Sequence, residues 1–192
     1  MKTFSCIAGA LALLTSGCVS SQRSSPHHSW PKPVAANNLN QFDGVFRNHA
    51  FDSQTGIAAT NSNQLFVFLL GPAHANEDRG DRVEIRSTPE GNELKLRLLD
   101  QQNQEIDSVT LQRGIGFELS DHRLILHGPF SGWRNLDSNW GPGVKLQRNR
   151  LHLSGTGDLL GSISENSSML VMGFIPGVST MKFWMFWPKL AK

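Results

Sequence analysis

The residues of this chain that could do chemistry are few and widely spread. Asp158 is the least ordinary of them: it closes the glycine-rich run Gly155-Thr156-Gly157-Asp158 at the entry to an apolar stretch. Such runs can cradle a dinucleotide pyrophosphate on backbone amides at a helix N-terminus. Here the third glycine, Gly161, falls one position late and no helical pattern follows, so the run predicts a turn whose amides bond the Asp158 carboxylate. Ser131, within Gly128-Pro129-Phe130-Ser131-Gly132, misses the spacing of a nucleophile elbow by one residue and lacks its following helix. Metal ligation fares no better. His122 and His127 stand five positions apart around a strand end, which sends them to opposite faces. His74, Glu77, Asp78 and Asp81 share the loop from Gly71 to Arg82, but their spacing fits no calcium loop and Arg79 and Arg82 neutralise them. The pair His27-His28 reads as solvated linker. Glycoside cleavage needs two carboxylates at a set separation, and Asp43, Glu105, Asp107, Glu118 and Asp158 offer no distance that a sequence can give. The expectation is no catalytic residue, no metal and no cofactor.

Charge and composition narrow the classes further. Lys and Arg total 18 against 16 Asp and Glu, a formal charge of +2, which lacks the basic face that nucleic acid demands. With 192 residues, 39% hydrophobic and 18% charged, the chain reads as one globular domain, neither disordered nor polytopic.

The N-terminus reads as an address. Lys2 supplies a positive charge, Phe4 to Leu14 is an apolar stretch, and Thr15-Ser16-Gly17-Cys18 follows before a Ser-rich run. That stretch is shorter than the ~20 residues a transmembrane helix needs and fits the core of a signal peptide. The run Leu14-Thr15-Ser16-Gly17-Cys18 resembles the lipobox of bacterial lipoproteins. The resemblance implies that Cys18 is acylated on sulfur and becomes the mature N-terminus after removal of residues 1–17. Val19, following it, implies an outer-membrane anchor facing the periplasm, since an Asp there would favour the inner membrane. An ordinary secretory signal would instead leave Cys18 as a lone thiol in an oxidising compartment. Cys6 leaves with the leader, so no disulfide can staple the mature chain. Its 175 residues are enough to bury roughly 70% of the unfolded surface without one.

Residues 18–40 then read as the lipidated cysteine and a flexible tether, and residues 41–192 as the folded domain. Period-two alternation recurs through that domain: Val83 and Ile85; Leu94, Leu96 and Leu98; Val109 and Leu111. Phe117-x-Leu119 and Leu124-x-Leu126 flank Ser120 to Arg123 as a hairpin, and Val144-x-Leu146 and Leu151-x-Leu153 flank Gln147 to Arg150 in the same way. Asp158–Ser164, Met169–Phe174 and Met181–Trp187 supply three more strands. One stretch, residues 61–70, favours a short helix: polar N-cap residues precede Leu65, Phe68 and Leu69 at helical spacing. The fold class is all-β with one short helix, an antiparallel meander closing into a barrel or calyx, with a β-sandwich as the alternative.

The opening Gly44-Val45-Phe46-Arg47-Asn48, the short helix, the meander and the late Leu151-x-Leu153 strand before Gly157-Asp158-Leu159 together resemble small lipocalin-like envelope lipoproteins. The resemblance implies a calyx. In that reading Leu94, Leu96, Leu98, Val109, Leu111, Phe117, Phe183 and Met185 line a cavity for an apolar or lipid-like ligand. They could equally fill the interior, in which case the protein is a structural or assembly component of the envelope. The closing strand is apolar on both faces after Lys182, so Trp184 and Phe186 need a cover: the tether, the helix, a protein partner or the membrane surface. Trp133 and Trp140, in the loop from Gly128 to Gly143, suit a lid over a calyx or a plain packed loop. An envelope hydrolase stays as a third reading, whose activity would fall on Asp158→Asn.

Overall fold

The computed structural model describes residues 19–23, 28–52, 64–71, 80–127, 132–138, 141–171 and 175–191. Residues 1–18, which hold the stretch read as a leader and Cys18, lie outside that set. So do His27, Ser131, Trp140 and most of the loop that holds His74, Glu77 and Asp78.

The chain is mostly antiparallel β structure with one short helix. The smaller of two sheets has four strands in the order β3 (Gly44–Arg47), β5 (Arg82–Ser87), β6 (Glu93–Leu99) and β7 (Glu105–Gln112). Its register sets the alternating apolar residues opposite one another: Ile85 pairs with Leu96 and Leu96 with Val109, while Leu94 pairs with Leu111. Cross-strand pairing of this kind places one apolar face on the core.

The larger sheet has nine strands on a spine of three long ones, β11 (Gly141–Ser154), β12 (Leu159–Val171) and β13 (Ile175–Trp187). Short strands line its two edges. Along β11 lie β10 (Gly132–Ser138), β9 (Arg123–Leu126) and β2 (Pro33–Val34), with β8 (Phe117–Ser120) outside β9. Along β13 lie β1 (Val19–Arg23), in parallel, and β4 (Phe51–Asp52). The β8–β9 hairpin follows the sequence reading, and its turn puts Asp121 and His122 at positive φ, 49° and 61°, as a tight two-residue hairpin requires.

Three sequence expectations give way. The 147–150 turn does not exist: β11 runs straight through it, because Gln147 and Asn149 continue the buried face as polar residues and so hide the alternation. Asp158–Ser164 and Met169–Phe174 are likewise one strand, β12, through its described end at Val171. The tether reading of residues 18–40 also fails where the chain is described. There β1 and β2 join the sheet, and Trp30, Ala36 and Leu39 are buried, since their apolar surface is better placed on the body than in water.

Among the described residues the ladder does not close into a barrel. On one side the sheets touch through the isolated bridge between Phe46 and Lys189, with Arg47 N–H donating to Pro188 O (3.0 Å) and Leu190 N–H to Val45 O (2.8 Å). On the other the chain passes from β7 to β8 by a tight turn in which Gly114 N–H donates to Phe117 O (2.8 Å). Between the sheets sits α1 (Leu65–Leu70), all six residues of which are buried. No helix among the described residues is long and apolar enough to cross a membrane.

Candidate functional site

The interior comes first, because a calyx would place its ligand there. Leu94, Leu96, Leu98 and Phe117 are at most 1% exposed, and they belong to one cluster with α1 and with Leu124, Leu126, Leu151 and Trp187 from the larger sheet. Met185 is in the same cluster, and Val109 and Leu111 pack against it half-buried. Seven of the eight nominated lining residues therefore meet, and what they meet around is protein. Phe183 is half-buried and stands apart from that cluster.

What fills the space is α1, and what fixes α1 is a residue whose role the sequence did not suggest. Asn48 is fully buried; its C=O accepts from Leu65 N–H (2.7 Å), its Oδ1 accepts from Phe66 N–H (3.0 Å), and its Nδ2 donates to Gly80 O (2.8 Å). It thus satisfies two of the orphan amides at the helix start. Such a cap, 18 residues from Phe66 in sequence, leaves no local signature. The helix in turn sets Phe68 against Trp187 (centroids 5.0 Å apart), over the hydrogen-bearing Gly161.

The outer face of the larger sheet carries Trp184 and Phe186. Trp184 is 7% exposed, within a second cluster of Trp30 and Leu160, and Phe186 stacks on Trp30 (5.4 Å) and meets Phe51 (6.0 Å). The cover comes from this chain's own segment before β2. Beside it stands His152, whose Nε2 is 3.1 Å from Ser162 Oγ and whose ring is 5.2 Å from that of Trp184. Burial, with Arg123, Lys182 and Arg150 nearby, pushes its pKa down to about 4.

The described residues also form two open polar grooves. One, of ≈ 460 Å³, lies between the turn 37–43, the β5–β6 turn and Arg113, with Asn37, Asn38 and Asn40 on its wall. The other, of ≈ 600 Å³, is lined by Arg47, His49, Asp81, Arg82, Gln101 and Leu190. Neither is walled by the leucines of β6.

Asp158 is held as a structural acceptor: Lys189 N–H donates to its Oδ1 (2.7 Å), Thr156 Oγ1 to its Oδ2, and its own N–H donates to Ser154 Oγ (2.9 Å). His127 Nε2 lies 3.9 Å from Glu118, and His122 stands at the β8–β9 turn. Glu105 is paired with Arg97 (2.5 Å), and Asp43 accepts from Ser87 N–H (2.8 Å). Among the described residues no three of His, Cys, Asp and Glu are grouped to hold a metal ion. The chain matches no protein family, no curated protein and no solved structure.

Proposed function

We propose that the protein is a lipid-anchored component of a bacterial envelope, held at the outer membrane through Cys18 and facing the periplasm. Its solid β body works there by contact with another envelope protein, without an apolar ligand, a cofactor or catalysis. The observation that carries this reading is the interior: the residues nominated to line a calyx are packed against one another and around α1. In this reading the two sheets keep a lipocalin-like outline whose cup is taken up by the chain itself. The contact surface is the turn after β7, where Ile115 is 74% exposed beside the ≈ 460 Å³ groove. Native mass spectrometry of the protein released gently from a periplasm tests the choice. A bare chain mass is expected, whereas an added mass of a few hundred daltons that leaves on delipidation would restore the ligand carrier.

A second reading has one observation in its favour. The ≈ 460 Å³ groove exceeds the ~300 Å³ at which small-molecule pockets begin, and its asparagines suit a polar ligand such as a sugar. Binding of a sugar panel that is lost on Arg113→Ala would select it.

A further inference from the structure

The polar character of the long strands stops at one rung. Passing outward along β12 and β13, the pairs Ser164–Lys182, Glu165–Met181, Asn166–Thr180 and Ser167–Ser179 each carry polar residues. Beyond Ser168–Val178 the pairs Met169–Gly177, Leu170–Pro176 and Val171–Ile175 carry none. From Met169 to Val178 the sequence has no charged, hydroxyl or amide side chain.

Two neighbouring strands meet this end. β11 pairs with it through Gly143, preceded by Gly141 and Pro142. On the other edge β1 begins at Val19, which pairs with Val178, at the very rung where the polarity changes. Because β1 runs parallel to β13, the N-terminal end of β1 is the one at the Val178 rung. The residue before Val19 is Cys18.

We propose that this end of β12 and β13, Met169–Val171 with Ile175–Val178, is a membrane-docking element that enters the bilayer carrying the acyl chains of Cys18. The proposal rests on the lipid-anchor reading of that cysteine. Two measures agree with it. From Val178 to Ile175 the strand extends roughly 10 Å, the depth to which interfacial elements sink into the boundary between headgroups and acyl chains. A rung containing Arg148, Lys182 and Arg23 crosses the sheet on the core side of Val178, at a distance of roughly 14 Å. Cations there are drawn to anionic headgroups. Shallow entry also suits an open ladder, whose outer edges have backbone groups that hydrocarbon would leave unsatisfied. The acyl chains hold the protein to the surface, and the apolar hairpin end fixes how the body stands on it.

The test uses the full-length chain, processed and lipidated in a bacterial host. Cys6 and Cys18 are its two cysteines, so acylation of Cys18 and loss of the leader leave an introduced cysteine as the single thiol. Leu170→Cys, Ile175→Cys and, as a control on exposed β7, Thr110→Cys are labelled with an environment-sensitive fluorophore. Each is reconstituted into phosphatidylethanolamine and phosphatidylglycerol vesicles with nitroxide-bearing lipids. Labels at positions 170 and 175 are expected to shift to the blue and lose most of their emission to the nitroxides, with position 110 unaffected. Metabolic fatty-acid labelling, lost in Cys18→Ser, reads the anchor separately. If Cys18 is acylated and positions 170 and 175 behave like 110, the docking proposal falls and the anchor stands. If no fatty acid is incorporated, the anchor falls and the proposal with it. A blue shift insensitive to nitroxide, with a doubled mass in detergent, would overturn the proposal in favour of contact between two copies.

Discussion

His152 makes the stability of the body depend on pH between about 6.5 and 4. In the folded chain its pKa is pushed down to about 4, first by burial beside Trp184 and then by the cations Arg123, Lys182 and Arg150. Unfolded, it returns to about 6.5. The folded value is the lower one, so the contribution is complete above about pH 6.5 and is lost as pH falls toward 4, where the folded ring also protonates. At about pH 5 the unfolded imidazole is nearly all protonated and the folded one about one-tenth, which corresponds to a loss of about 2 kcal/mol relative to pH 7. The ring is half-buried, and screening at its open edge lowers that to about 1 to 2 kcal/mol. Urea titrations followed by tryptophan fluorescence from about pH 7.5 to pH 5 should show the midpoint falling by about 0.5 to 1 M. His152→Gln keeps a partner for Ser162 and removes the titration, so its profile should lose that fall. A wild-type profile flat across the window, or an equal fall in His152→Gln, would refute the reasoning.

Two further substitutions probe the packing and the charge network. Glu84 is buried and bonded to Arg86 (2.8 Å) and Arg97 (2.6 Å). Burial works against its ionisation, but those guanidinium bonds prevail and hold its carboxyl below the usual range. Glu84→Gln should cost about 1 to 2 kcal/mol at neutral pH, and wild type should lose the same increment only below about pH 4.5, as pH falls through the depressed pKa; calorimetry at the two pH values checks both. At Gly161 an added Cβ would stand 2.5 Å from Trp187 Cζ3 and 3.0 Å from Phe68 Cζ. Gly161→Ala should destabilise by about 1 to 3 kcal/mol through overpacking, and Trp187→Leu in the same chain should recover part of that loss in a thermal melt.

Strands β5, β6 and β7 of the smaller sheet were legible because each places leucine, valine or isoleucine toward the core and mostly charged or hydroxyl residues on the other face. Val83-x-Ile85 and Leu94-x-Leu96-x-Leu98 alternate in the sequence as they do in space. Helix α1 was legible in type, while the part Asn48 plays in bonding its first amides from a separate turn was not. The long strands were illegible for a different reason. Over residues 164–168 and 178–182 the sheet runs beyond the main core, and with few apolar residues to bury, its sequence alternates nothing. Gln147 and Asn149 add a second obstruction: they occupy the buried face and bond each other (3.2 Å), so a core-facing segment reads as a turn.

The same cause explains why residues 18–40 read as a tether. A strand added to the edge of a polar arm needs no apolar face, only backbone groups to pair. Val19–Arg23 pairs along β13 at five successive rungs while offering Val-Ser-Ser-Gln-Arg, a composition that suits a linker equally well. Trp30 was the one readable sign, because a tryptophan in a solvated linker has about 200 Å² of surface to hide. It hides on Phe186 and Trp184. This pairing ties the chain to β13 both immediately after Cys18 and again before β2. If Cys18 carries the proposed lipid, the anchor pulls on a sheet whose longest strands lead into the core, where Trp187 meets Phe68 of α1. An anchor joined through a loose linker would leave the body free to tumble above the membrane. One joined through β1 makes the orientation of the body a property of the sheet.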